Sequence, residues 1–281
     1  MTHRYYLSVK PVQSDFDFAL QRIENCADDI RTWMNQNFLK LNDSKTEFMI
    51  LGSKQQITKV NIQHVRVGES YIEPATNVRN LGVMFDSNLT MDCHVTAVSK
   101  SAFCSIRNIG RMRKHLTRDA AETIIHAFVT SRIDSSNSLL YGITNTQLSR
   151  LQRLQNIAAR IITYTKKTDH ITPVLADLHW LPIEQRLKYK ICLIIYKIMH
   201  DKAPSYLAEL VQPYVPGHRG LRSSRQGLLQ EKFSKHQWGQ RSFQVAAPKL
   251  WNNLPGSVKL SNSLHTFKKN LKTYLYLEAF A

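Results

Sequence analysis

Acidic charge is scarce in this chain. Only 21 Asp and Glu stand against 38 Lys and Arg over 281 residues, for a formal net charge of +17. That imbalance is too large for a typical metabolic enzyme and points toward a polyanionic partner. Cysteine is scarce too. Cys26, Cys93, Cys104 and Cys192 form no C-x-x-C pair and have no histidine at finger-like spacing, so neither a disulfide scaffold nor a zinc finger is expected and the thiols read as reduced. No window reaches the roughly 18 uninterrupted apolar residues of a membrane span, and the N-terminus has no apolar leader core. The expected setting is therefore intracellular, nuclear or cytoplasmic, with no membrane partner. A Gly-rich phosphate loop, a G-x-S-x-G elbow and an H-E-x-x-H pair are also missing, so nothing here suggests a self-contained active site.

What is present suffices for a folded protein: 43% apolar and 9% aromatic residues lie within globular composition. The charge is unevenly placed. Residues 1–90 carry 10 basic and 10 acidic side chains, whereas residues 91–281 carry 28 and 11. The pattern changes at the same point. In residues 1–90, Tyr5–Val9 reads as a strand, and Phe16, Leu20, Ile23, Ala27, Ile30 and Met34 draw one apolar stripe down an amphipathic helix. Phe38–Leu41 and Phe48–Leu51 read as strands flanking the turn residues Asn42, Asp43 and Ser44. A hairpin is expected over Val60 to Ile72, and one further strand from Val78 to Phe85. After Asn88 the periodicity is helical, over about 91–114, 117–133, 146–164, 183–200, 204–211 and 263–278. The expected fold class is thus α+β in residues 1–90 and mostly α in residues 91–281, with Pro213–Ser242 left unassigned.

Candidate chemistry is thin. Ala27-Asp28-Asp29 resembles the adjacent aspartates with which polymerases hold divalent ions, but its helical phase puts both carboxylates on the polar side, as a solvated face. Basic residues are the stronger signal. Arg186, Lys190 and Lys197 lie along one flank of a helix whose neighbouring flank is apolar, with Leu193 interrupting the positive side. Arg153 and Arg160 repeat the arrangement. Arg107, Arg111, Arg113 and Lys114 cluster near a helix end, and Arg219, Arg222, Arg225, Lys268, Lys269 and Lys272 extend the positive character. Phosphate tracking uses such spread cations, because each contact neutralises one backbone charge and releases counterions. Trp180, Trp238 and Trp251 could stack on bases, although anchoring in the core is the favoured role. His179 and His200 lack carboxylate or cysteine partners at metal-binding spacing.

Ordered motifs add a family. Trp33-Met34-Asn35, Leu39-Lys40-Leu41-Asn42, Lys45-Thr46-Glu47-Phe48-Met49-Ile50, Asn80-Leu81-Gly82-Val83 and Asp86-Ser87-Asn88-Leu89-Thr90 are followed by Leu178-His179-Trp180-Leu181-Pro182-Ile183, Ala203-Pro204-Ser205-Tyr206-Leu207 and Ala246-Ala247-Pro248-Lys249-Leu250-Trp251-Asn252. This succession resembles the C-terminal part of a non-LTR (LINE-type, jockey-like) retrotransposon reverse transcriptase. The resemblance implies a partial palm over 1–90, built of antiparallel strands and one helix, and a basic helical thumb with a C-terminal extension over 91–281. It also implies that Lys45 is the leaving-group acid of the palm and that Leu81 and Gly82 belong to a primer grip. The family's Ala-Asp-Asp turn is expected just before Tyr6, where this chain has Met1-Thr2-His3-Arg4. Hence no cofactor is expected in this chain, with magnesium required only alongside the missing catalytic half.

Three functional readings follow. The first is a fragment that binds RNA, DNA or RNA–DNA hybrid through the phosphate backbone at Arg107, Arg111, Arg113, Lys114, Arg153, Arg160, Arg186, Lys190 and Lys197, without polymerising. The second is a complementing subunit that completes an active reverse transcriptase together with a separate catalytic half. The third is a retroelement relic without function.

Overall fold

The computed structural model describes residues 5–42, 45–59, 61, 64–215 and 227–280. The chain divides into two compact units, Met1–His94 and Val95–Ala281, and the class is mixed α+β with two small antiparallel sheets.

In the first unit, the apolar stripe forms helix α1 (Gln13–Gln36). It ends where Phe38 turns left-handed at φ 57°. There the Leu39 N–H reaches back to the Met34 carbonyl at 2.8 Å and the Phe38 N–H to Asn35 at 3.1 Å, a closure that satisfies the last carbonyls of a helix. Only Ala19 of α1 is fully buried, and the stripe itself is half-buried. A short α2 (Lys54–Ile57) is held by a reciprocal cap between Ser53 and Gln56. Strands β1 (Val65–Val67) and β2 (Ser70–Ile72) pair antiparallel around Gly68. Helix α1 is tied to β1 by polar contacts: Glu24 accepts the Arg66 N–H at 2.8 Å, Asp28 pairs with the Arg66 guanidinium at 3.1 Å, and Arg31 donates to the Val67 carbonyl at 3.2 Å.

The segment expected as a single strand over Val78–Phe85 is instead a hairpin of β3 (Asn77–Asn80) and β4 (Val83–Asp86). Leu81 and Gly82 form its loop, with φ of 46° and 86°. Two consecutive positive φ values match the right-handed twist of the flanking strands, which is why the chain reverses there. Asp86 then organises the exit. Its carboxylate accepts the N–H groups of Asn88 (3.2 Å), Thr90 (2.8 Å) and Met91 (2.7 Å), while the Asn88 amide donates to the Gly52 carbonyl at 2.8 Å.

Three other expected strands are corrected. Tyr5–Val9 and Leu39–Leu41 carry no strand pairing, Phe38 is the helix-ending residue, and of Phe48–Leu51 only Phe48 makes an isolated bridge, to Pro74. Apolar β-formers become strands only where a neighbour takes up their N–H and C=O groups. Within the Val60–Ile72 hairpin, Val60 and Ile62 lie outside the described residues, as do Asp43 and Ser44.

The second unit is helical. Helix α3 (Asp92–Met112) leads into a tight turn at Arg113–His115. The helix expected over 117–133 comprises α4 (Arg118–Ile125), a π turn at His126–Thr130 and α5 (Ser131–Asp134). Next come α6 (Asn145–Thr163), opened by a Thr144–Gln147 capping box, α7 (Thr172–Asp177) with Pro173 in its first turn, and α8 (Ile183–Met199). The remainder is α9 (Ser205–Ala208), α10 (Gln237–Arg241), α11 (Phe243–Asn252), α12 (Gly256–Lys259) and α13 (Leu264–Phe280). Helix α8 is central, packing against α6, α9, α11 and α13. Its fully buried Tyr196 stacks on Phe267 of α13, ring centroids 4.1 Å apart, and donates its hydroxyl to the Ser261 carbonyl at 2.8 Å. Trp251 donates its indole N–H to the Gly227 carbonyl at 2.8 Å. Burial in this core pushes the Cys192 thiol up to about 12, which leaves it protonated and unreactive.

Within the stretch left unassigned, residues 216–226 lie outside the described residues. Leu229, by contrast, is buried, and the Asn252 side chain both accepts its N–H and donates to its carbonyl, each at 2.9 Å. Among the described residues no helix is long and apolar enough to cross a membrane.

Two outcomes follow from this packing. Phe267→Ala removes a fully buried ring and lowers unfolding free energy by about 4 kcal/mol in urea titrations. Burial lowers the His94 imidazole below its usual 6.5, and its neutral Nδ1 accepts the Met84 N–H at 3.4 Å. Because the folded value lies below the unfolded one, the stability it supports is complete at higher pH and is lost as pH falls below about 6.5. His94→Asn, which keeps an acceptor but cannot titrate, flattens that acid limb in urea midpoints measured from pH 7.5 to 5.

Candidate nucleic-acid interface

The arginines of the second unit divide into two groups. Arg113 belongs to the interior. Its Nε donates to the Ile161 carbonyl at 2.9 Å, one terminal nitrogen to Ile162 at 2.7 Å and the other to Leu116 at 2.6 Å. Two of these acceptors lie in the last turn of α6, where helix carbonyls lack backbone partners. Arg113 is therefore a helix cap, and its expected phosphate contact is corrected: the guanidinium is buried, and its donors are spent on carbonyls. Arg186 is likewise engaged, gripping both carboxylate oxygens of Asp134, with Nε at 2.9 Å from Oδ1. Such a bidentate, half-buried pair positions helices, and it leaves little cation for a ligand. Arg160 donates to the Lys166 carbonyl and, at 2.8 Å, to the Asp169 carbonyl, so it closes the turn after α6.

The second group is free. Arg107, Arg111, Lys114, Arg153 and Lys190 are exposed, Lys197 is half-buried, and none has a side-chain partner among the described residues. On α3, Lys100, Cys104, Arg107 and Arg111 recur every three or four residues, which draws one exposed stripe opposite the buried Ala102, Ile106 and Ile109. On α13, Lys268, Lys269 and Lys272 are exposed while Phe267, Leu271 and Leu275 face inward. Arg219, Arg222 and Arg225 lie outside the described residues. Lys188, which the sequence reading passed over, is held by Glu184 (3.3 Å) and Glu278 (2.8 Å).

In the first unit, Lys45 is exposed, next to its own N–H bond to the Asn42 carbonyl at 3.2 Å. Leu81 is exposed at the hairpin tip, and Gly82 has open space around it. Asp28 is occupied by Arg66 and Asp29 points to solvent. Among the described residues, no three or more His, Cys, Asp or Glu come together as a metal site.

Trp180, Trp251 and His200 serve the fold, whereas Trp238 is half-buried and His179 is exposed beside Tyr276. Trp180 is buried and donates to Glu122 at 3.3 Å, Trp251 is buried, and His200 stacks on Tyr196 with ring centroids 3.9 Å apart.

Sequence reasoning missed Tyr164. It follows α6 with a left-handed backbone, φ 56° and ψ 23°, and its ring lies over the Arg113 guanidinium at 4.3 Å. The only sequence signal is an aromatic residue after an apolar helix and before Thr165-Lys166-Lys167.

Compared with known proteins, the chain matches no family model, no curated protein and no solved structure.

The division of the arginines has a direct test. Arg113→Met leaves helix-terminal carbonyls unsatisfied and lowers unfolding free energy by about 3 kcal/mol, whereas Arg107→Met changes it by less than about 0.5 kcal/mol. Urea unfolding of the two variants reads the difference.

Proposed function

We propose that this chain is a nucleic-acid-binding C-terminal part of a non-LTR retrotransposon reverse transcriptase, which holds RNA, DNA or RNA–DNA hybrid by the phosphate backbone and does not polymerise alone. The observation that carries the binding is the exposed cationic stripe Lys100, Arg107 and Arg111 on α3, whose side chains have no partner among the described residues. Lys114, Arg153, Lys190, Lys268, Lys269 and Lys272 add to it in the same unit. Long cations outside a packed helical core suit a regular array of phosphates, and they carry no base-specific donor pattern. The family reading rests on the ordered motifs, with residues 1–90 as a partial palm and residues 91–281 as thumb and extension. The Asp-Asp pair of the sequence, Asp28-Asp29, lies within α1 with Asp28 bound to Arg66.

A second reading, complementation of a separate catalytic half, draws on the apolar surface of the first unit. Tyr6, Phe18, Trp33 and Phe38 are exposed by 74%, 67%, 53% and 100%, apolar side chains that a second polypeptide would cover. Primer extension with the mixed halves tests it, and absence of incorporation removes it.

The binding itself is tested by salt. With about six phosphate contacts, affinity for an RNA–DNA hybrid falls about a thousandfold between 50 and 200 mM salt. Replacing Arg107 and Arg111 by Met lowers the log–log slope by about 2. Filter binding gives both, and a flat salt response rejects the proposal.

A further inference from the structure

We propose that Tyr164 is a stacking platform for one unpaired base of a single-stranded nucleic acid, seated in the groove beside the end of α6. This assignment deepens the backbone-binding reading and rests on it. The groove is shallow and open, with a volume of about 470 Å³, and is lined by Arg113, Arg118, Tyr164, Thr165, Pro173, Val174 and Asp177. A single base laid on its surface needs no deeper cavity.

The left-handed backbone does not by itself single out Tyr164, because other non-glycine residues such as Phe38, Leu89 and Asp201 share it. What distinguishes Tyr164 is how its ring is held. The ring rests over a guanidinium 4.3 Å from its centroid, and that guanidinium is itself pinned by the carbonyls of Leu116, Ile161 and Ile162. The phenol hydroxyl donates to the Arg113 carbonyl at 3.2 Å. The side chain is thus fixed at both ends, yet the residue stays 66% exposed. An aromatic ring immobilised in advance loses little conformational freedom when a base stacks on it.

The surroundings select the ligand. Arg118 and Asp177 form an exposed ion pair at 2.6 Å, so the groove carries no net repulsion toward a base, and a surface pair of this kind costs little to open. Pro173 and Val174 provide an apolar wall. Lys114, Lys166 and Lys167 are exposed, close in sequence to Arg113 and Tyr164, and would meet the phosphates on either side of the seated base. A paired base keeps its neighbours in the stack, so the platform favours single strands over blunt duplex.

The test measures fluorescence anisotropy with a labelled 20-nucleotide oligothymidine and a blunt 20-base-pair duplex at one salt concentration, with urea unfolding in parallel. Tyr164→Gly accepts the left-handed backbone and removes the ring. It is expected to weaken single-strand binding by about 5- to 150-fold and duplex binding by less than about twofold, while Tyr164→Phe, which keeps the ring over Arg113 and loses only the hydroxyl bond, weakens single-strand binding by less than about threefold and leaves duplex binding unchanged. Tyr164→Asn, which also tolerates this backbone, repeats the measurement if the glycine variant does not fold. Wild-type affinity for single strands in the Gly or Asn variant, or an equal loss on duplex, overturns the platform and leaves backbone binding standing. Failure of the unaltered protein to bind either probe overturns both.

Discussion

One buried guanidinium sets much of what the second unit can present. A helix of the length of α6 ends with carbonyls that need donors, and an apolar end turn cannot reach water for them. Arg113, arriving from the turn after α3, supplies those donors. Its planar fork suits the task, because one rigid group can address several oxygens at once, whereas an ammonium could serve as a point charge only. Fixing Arg113 then fixes Tyr164 above it and the direction in which the chain leaves α6. The price is an arginine that no longer faces solvent. A positively charged side chain in a cationic region is thus no guide to its role until its donors have been traced.

The same logic orders the remaining charge. Arg186 locks α8 to Asp134, Arg160 closes the turn beyond α6, and Lys188 bridges two glutamates. What stays free lies on the outer faces of α3, α6, α8 and α13. Helices α8 and α13 turn their apolar sides toward a core built around Tyr196, Phe267 and Trp251, and α3 and α6 bury apolar faces of their own, Ala102, Ile106 and Ile109 on the one and Leu151, Leu154 and Ala158 on the other. Burial of one face leaves the opposite face for cations, so amphipathicity produces the candidate interface as a by-product of folding.

Much of this was legible in the residues. Helices α1, α3, α6, α8 and α13 follow from apolar steps of three and four, because that spacing has one geometric meaning. The short strands were harder. Tyr5–Val9 and Phe48–Leu51 have strand composition, yet pairing depends on partners that local composition does not encode, and the two-residue reversal at Leu81-Gly82 sits in a stretch, Val78–Phe85, whose composition also suits one strand. Helix α11 was obscured by Pro248, which breaks the usual signal although Ala246, Ala247 and Trp251 are buried. The split between working and structural arginines lay beyond sequence altogether. Periodicity says which way a side chain leaves its helix, but it is silent about which distant carbonyls await it.

The small buried area of α1 has a mechanical consequence. A helix that commits only Ala19 to the interior is held by its own hydrogen bonds and by the ties from Glu24, Asp28 and Arg31 to β1. Such an element opens at lower free energy than one packed on all sides, and amide exchange in the first unit will run ahead of global unfolding. Helix α1 is thus the element expected to exchange first, on a schedule separate from that of the packed core around Tyr196 and Phe267.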